Sequence, residues 1–185
     1  TPLALITAPL KDLEERTDLG EYVGFRLGLI RRNVNKLLKL INQLLEIRKV
    51  SAQNLPLKVS RYDLAYTVRE VVHSFGSMSE QTGIMMHFEA PKEIPDAWFD
   101  RDKIEKVLQN LISNAYKFTP EQGDIHVRLA VEQHDRVHYA VIAVQDSGVG
   151  IPAADMHRIF DLFFHGTPLN GVSSGVGLSF SKALI

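Results

Sequence analysis

The chain has 185 residues, 45% of them hydrophobic and 23% charged, with a net charge of −1. That balance describes an ordinary globular chain, one large domain or one domain with an appendage, and gives no ground for nucleic acid or an anionic membrane as main partner. Cysteine is absent, which excludes a disulfide framework, a thiol nucleophile and thiolate-bound zinc and fits a reducing compartment; no apolar run approaches the ~20 residues of a membrane span, and no signal peptide is visible.

Leu3, Ile6, Leu10 and Leu13 are spaced 3-4-3, the seam of an amphipathic helix. Pro2 suits its first turn, and Pro9 should kink it. Asp18 to Gly20 interrupt the pattern, and a longer helix follows, roughly Glu21 to Ser51. In it Leu27, Ile30, Val34, Leu37, Ile41 and Leu44 keep a 3-4 alternation. Such a helix is a rod of ~45 Å, too apolar to stand alone and too long for the first helix to cover. An antiparallel hairpin that dimerises into a four-helix bundle answers this, with packing against the rest of the chain as the alternative. The hairpin domain is placed at 1–52. Because the chain opens in helical pattern at Thr1-Pro2-Leu3 and stops uncapped at Leu184-Ile185, it reads as a fragment.

After a linker at Gln53 to Pro56, a second domain is expected over 57–185. Leu57 to Ser60 read as an edge strand, and Asp63 caps a helix reaching about Gln81. Ile84 to Glu89 alternate as a strand, and Ala97 to Phe99 form a short one. Asp102 to Pro120 carry the strongest helical period, with Ile104, Val107, Leu108, Leu111, Ala115 and Phe118 facing a core. Two antiparallel strands, Asp124 to Glu132 and Val137 to Gln145, follow. Beyond them lie a loop-rich stretch around one short helix, Ala154 to Phe160, and a last helix from near Val176. The fold class is therefore α+β: a helical hairpin followed by an α/β sandwich, one mixed and mainly antiparallel sheet covered by helices.

Three features carry chemistry. Asn110, Asn114 and Lys117 fall at i, i+4 and i+7 on the central helix and superpose within about 40°. Amide oxygens suit a hard cation such as Mg²⁺ and the ammonium suits phosphate, although a solvated helix face would look the same. Asp146 ends an apolar strand and is followed by Gly148 and Gly150. A carboxylate there can accept from an exocyclic amine such as adenine N6, beside backbone that only glycine lets approach a flat ring; a plain turn is the other reading. Gly171, Gly175 and Gly177 surround Ser173 and Ser174 at a helix start, a backbone anion site without the Lys-Ser or Lys-Thr of a P-loop.

In this order the segments NLISNAYKFTP, DSGVGIP, IFDLFF and SGVGLS resemble the N box, first glycine box, F box and second glycine box of two-component sensor histidine kinases. The chain resembles their dimerisation hairpin followed by the Bergerat-fold ATP-binding domain, and LLKLINQLLEIRKVS is most similar to the hybrid sensor kinases. The resemblance implies ATP and Mg²⁺ as cofactors. It gives Asn114 the metal with help from Asn110, Lys117 a phosphate contact and Phe118 a place beside the nucleotide. It gives Asp146 the adenine in a pocket shaped by Gly148 and Gly150, Phe160 and Phe163 the anchoring of a lid, and Gly175 and Gly177 the phosphate end, with Leu178 also among the nucleotide-binding residues. Thr1-Pro2-Leu3 resembles the tail of the H box, His-Glu-x-x-Thr-Pro-Leu. The phosphoacceptor His would then precede Thr1 by four positions, and Thr1 itself would occupy the position linked to dephosphorylating the partner.

A homodimer is implied, as is a response-regulator receiver domain in the same polypeptide or another, and a cytoplasmic place beneath a membrane-bound sensor. The seven histidines, His73, His87, His126, His134, His138, His157 and His165, lie outside the hairpin; none stands in for the acceptor, and no metal-ligand spacing joins them. Two departures bear on turnover: Ser173 replaces a glycine, and Leu162 replaces a basic residue for which Arg158 is a nearby substitute. The alternatives are an ATP-binding pseudokinase scaffold and a hydrolysing ATPase of the same fold. The hydrolysing relatives, the gyrase, mismatch-repair and heat-shock chaperone ATPases, carry a general-base Glu where this chain has Asn110.

Overall fold

The computed structural model describes residues 10, 13, 20–51, 56–92, 94, 96–164 and 175–185. The expectations for Thr1, for most of the first helix and for Gly171, Ser173 and Ser174 lie outside the described residues. The chain divides into two compact units, Thr1–Ala52 and Gln53–Ile185.

In the first unit, α1 (Glu21–Ser51) is a continuous 31-residue helix. It opens at Gly20, whose carbonyl accepts from the N–H groups of Val23 and Gly24. Leu27 is buried, but Ile30, Leu37 and Ile41 are exposed. The 3-4 stripe therefore leaves apolar surface uncovered among the described residues.

In the second unit, β1 (Ser60–Tyr62) pairs antiparallel with β3 (Ala97–Phe99), register Arg61 to Trp98. The strand expected at Leu57 to Ser60 is thus displaced toward the C-terminus, because its ladder is set by β3 rather than by its own apolar residues. Asp63 caps α2 (Leu64–His73), its carboxylate accepting from Tyr66 N–H at 2.8 Å. Leu64, Thr67, Val68, Val71 and Val72, spaced three and four apart, are its buried face. The single helix expected to Gln81 is broken. Ser74 turns its hydroxyl back onto the Val71 carbonyl at 2.6 Å, and a short α3 (Gly76–Thr82) follows, ended by Gly83 at φ +68°.

A mixed three-stranded sheet has the order β2-β4-β5. β2 (Met85–Glu89) runs parallel to β4 (Asp124–His134), with Met85 opposite Asp124 and Glu89 opposite Arg128. β4 and β5 (Val137–Asp146) form a hairpin closed by Asp135 and Arg136, both at positive φ, which matches the twist of a two-residue hairpin turn. Ile125, Val127 and Leu129 of β4 are buried on one face, while His126 and Arg128 point out on the other.

Against the buried face lies α4 (Arg101–Phe118). Leu108, Ile112, Ala115 and Tyr116 join Val68, Val71, Val72 and Ile84 in the core cluster with β4. The core face is turned from the expected stripe: Ile112 is fully buried and Tyr116 nearly so, while Phe118 is exposed. Asp100 starts the helix from a buried position, one carboxylate oxygen accepting from Lys103 N–H at 3.3 Å and the other from Lys58 N–H at 2.9 Å. The bond from Lys58 is the main reason its pKa lies below the usual aspartate value. The last element is α5 (Gly177–Leu184). Among the described residues no helix is long and apolar enough to cross a membrane.

Candidate functional site

The site is built where α4 ends. Thr119 stops the helix and is tied back twice, its N–H and its hydroxyl both donating to the Ala115 carbonyl, at 2.9 and 2.7 Å. Asn110, Asn114 and Lys117 are half-buried along the same helix, and the Lys117 ammonium lies 5.0 Å from the centre of the Phe118 ring.

Asp146, the last residue of β5, stands in register with Ile125. Its Oδ1 accepts from Gly148 N–H at 2.9 Å, which fixes the carboxylate by a local turn and leaves its other lone pairs available. Gly148 lies directly on the end of α4. A Cβ there would meet the Phe118 carbonyl oxygen at 2.5 Å and its carbon at 2.9 Å, so only glycine permits this approach. Gly150 differs: it has open space around it, but its φ of +70° is left-handed. The loop therefore needs two glycines for two separate reasons.

α5 closes the other side through Asn110. Asn110 Nδ2 donates to Ser181 Oγ at 2.7 Å, and a Cβ on Gly177 would run into the Asn110 amide oxygen. The second glycine segment thus touches the central helix, with the amide oxygen of Asn110 turned to the start of α5. Leu178 is half-buried in its first turn. Gly175, at φ +62°, accepts from Phe163 N–H at 2.9 Å, and a Cβ would sit 2.6 Å from the Phe163 carbonyl carbon. Phe163 is itself left-handed, at φ +63°. Residues 163 and 175 are thereby clasped main chain to main chain.

The short helix expected at Ala154 to Phe160 is instead a run of turns. Asp155, Arg158 and Asp161 N–H groups donate to the carbonyls of Pro152, Asp155 and Arg158, three residues back each time, so no α-helical ladder forms. Phe160 and Phe163 are exposed, with the Lys182 ammonium 5.3 Å from the Phe160 ring centre. Arg158, the nearby substitute for a basic residue at Leu162, lies over the Phe164 ring at 4.6 Å and 3.8 Å from Asp161.

Residues 99–185 match the family of histidine kinase-, DNA gyrase B- and HSP90-like ATPases. The sensor histidine kinase TmoS of Ectopseudomonas mendocina is 35% identical over 190 residues, covering 100% of this chain and 19% of TmoS. Hybrid signal transduction histidine kinase D of Dictyostelium discoideum is 32% identical over 195 residues, 100% of this chain and 12% of its own length. The solved catalytic domain of histidine kinase ThkA aligns at 31% identity with a TM-score of 0.59, over 69% of this chain and 80% of that one. The chain belongs to the histidine kinase family. Full-length ShkA in complex with AMPPNP shares the fold at a TM-score of 0.77 and 24% identity, over 99% of this chain and 40% of that one. ThkA in complex with the response regulator TrrA shares it at 0.67 and 24%, over 100% and 50%. The chain spans less than a fifth of the length of TmoS and of hybrid kinase D.

In this histidine kinase ATPase core the residues that seat the first glycine loop carry little sequence signal of their own. Gly123 leaves no room for a Cβ against Thr119 and Ser147, and Ser147 Oγ accepts from Asp124 N–H at 2.9 Å while its own N–H donates to Asp124 at 3.0 Å. These bonds stitch the end of α4, the start of β4 and the end of β5 into one corner. Thr119-Pro120 after a helix and Gly123 before a strand are the only sequence signals for it.

Proposed function

We propose that this histidine kinase core binds Mg²⁺-ATP between the C-terminal half of α4, the Asp146 to Gly150 loop and the start of α5. The observation that carries this reading is the pair of close approaches that only glycine allows, Gly148 on Phe118 and Gly177 on Asn110. They support a site with the first glycine loop at one end of the amide stripe and the glycine-led start of α5 at the other. Asp146, oriented by Gly148 N–H, would accept from the adenine amine, with Phe118 beside the ring and Gly150 and Leu178 bounding it. Lys117 and the backbone at Gly175 and Gly177 would hold the phosphates. Asn114 would ligate the cation with help from Asn110, whose NH₂ donates to Ser181 and whose oxygen faces the start of α5. The bound cation would neutralise charge on the phosphate oxygens.

The γ-phosphoryl would pass to the imidazole of a histidine upstream of Thr1. The bond from the γ-phosphorus to the bridging oxygen breaks, a nitrogen–phosphorus bond forms, ADP leaves and the imidazole proton goes to solvent. An aspartate on a receiver domain would take the phosphoryl next, with Thr1 serving the hydrolysis of that aspartyl phosphate to free phosphate; the fold likeness to ThkA bound to TrrA supports a receiver partner. The exposed Ile30, Leu37 and Ile41 of α1 support a homodimer through 1–52. Water activation as in the hydrolysing members is disfavoured, because Asn110 is an amide and cannot take a proton. Calorimetry tests the site: Asn114→Ala should abolish the Mg²⁺-dependent part of nucleotide binding, and unchanged affinity would remove the metal assignment.

A further inference from the structure

The open face of the sheet carries a cluster that the nucleotide site does not use. His87 of β2 and His126 of β4 are register partners on neighbouring parallel strands. Their rings stack with centroids 4.5 Å apart and planes 17° from parallel. Asp124, two residues before His126 and so on the same face of β4, places Oδ1 3.1 Å from His87 Nε2. One ligand atom from each of the three lies within 4.8 Å of the other two. All three side chains are partly exposed, so an ion could reach them from solvent.

We propose that His87, Asp124 and His126 form a binding site for a divalent transition-metal ion of the zinc class. Two imidazoles and one carboxylate are the donor set of such ions rather than of Mg²⁺ or Ca²⁺, which prefer oxygen alone. Bonds of about 2.0–2.1 Å to a tetrahedral ion put ligand atoms about 3.3 Å apart. The three ligand atoms, now within 4.8 Å of one another, would close to that spacing on binding the ion. The strands hold the ligands in place: β2 and β4 are paired along the whole of β2, and Asp124 is bonded through its main chain in both directions to Ser147. These bonds fix the backbone from which the ligands project. The remaining coordination positions open to solvent, so water completes the sphere.

Titration of the metal-free 185-residue chain with Zn²⁺ alone, read by competition with a chromophoric chelator, tests this. One equivalent should bind, and His87→Ala with His126→Ala should weaken it by at least about a hundredfold, more than loss of outer-shell partners costs. Asp124→Asn, which keeps the side-chain shape, should weaken it by at least about tenfold. Co²⁺ in place of Zn²⁺ should give the intense visible absorption of a tetrahedral site in the unsubstituted chain and lose it in the double variant. Because the other five histidines remain in that variant, undiminished Zn²⁺ binding would overturn the proposal. So would failure of the unsubstituted chain to take up one equivalent.

Discussion

Replacing Gly148 by alanine adds a single methyl group, and the structure says where it goes. The new Cβ would lie 2.5 Å from the Phe118 carbonyl oxygen and 2.9 Å from its carbon. An unstrained contact needs about 3.5 Å, so something must move by about 1 Å. The helix end cannot give way cheaply, because Thr119 is bonded twice to Ala115. The loop must therefore lift, and the new Cβ, 2.5 Å from Asp146 Oδ1, also pushes aside the carboxylate that Gly148 N–H holds. Overpacking of this kind costs about 1–3 kcal/mol and the lost bond about 1 kcal/mol. For a unit of this size about 2–4 kcal/mol lowers the melting temperature by roughly 7–14 °C. Displacing the carboxylate should also weaken adenine-nucleotide binding by more than about tenfold, the equivalent of one hydrogen bond near 1.4 kcal/mol. Gly150→Ala is the contrast. It meets no neighbour but must hold φ +70°, costing about 1–2 kcal/mol, and Gly150→Asn should recover most of that. Thermal melts and calorimetry on the three variants decide. If Gly148→Ala melts within about 2 °C of the parent and binds nucleotide equally well, the close approach is not what seats the loop.

Further outcomes concern the other supports of the site. Asp100→Ala removes both the helix cap and the acceptor of Lys58 N–H, and should cost about 1–3 kcal/mol in denaturant unfolding. Because the folded pKa of Asp100 is depressed, its charge contributes fully above the ordinary aspartate range and is lost as pH falls through the folded value. The stability gap to Asp100→Asn should therefore stay constant from neutral pH to about 5 and shrink below about 4; a gap that widens in acid would contradict this sign. Ser181→Ala leaves the Asn110 amide without its acceptor and should lower the protection of α5 amides in hydrogen exchange, while leaving α2 unchanged. Asp146→Asn should weaken adenine nucleotides far more than it lowers the melting temperature, and equal losses in both would make Asp146 a structural residue.

Much of this arrangement is legible in the residues themselves. The helical period across 101–118, the cap at Asp63 and the hairpin of β4 and β5 are local signals, and each lies close to where periodicity and turn chemistry put it. The break after His73 is not legible, since it depends on a serine hydroxyl turning back on its own helix. Nor is the rotation of α4 that buries Ile112 and Tyr116 and exposes Phe118, because apolar residues lie around much of that helix and packing decides between them. The His87–His126 pair is illegible for a different reason. The two residues are far apart in the chain and meet only through the register of a parallel strand pair, which no spacing rule encodes. Asn110 was legible as part of a stripe, whereas its bond to Ser181 depends on how α5 packs.

Phosphoryl transfer to histidine is decided by giving γ-labelled ATP and Mg²⁺ to this chain extended upstream by about ten native residues. Label should stay on the protein, stable in base and lost in acid, as a phosphohistidine behaves. Free phosphate with no labelled protein would point to the hydrolysing ATPases, and neither product from a folded chain to a nucleotide-binding scaffold; either result would rule out transfer to histidine.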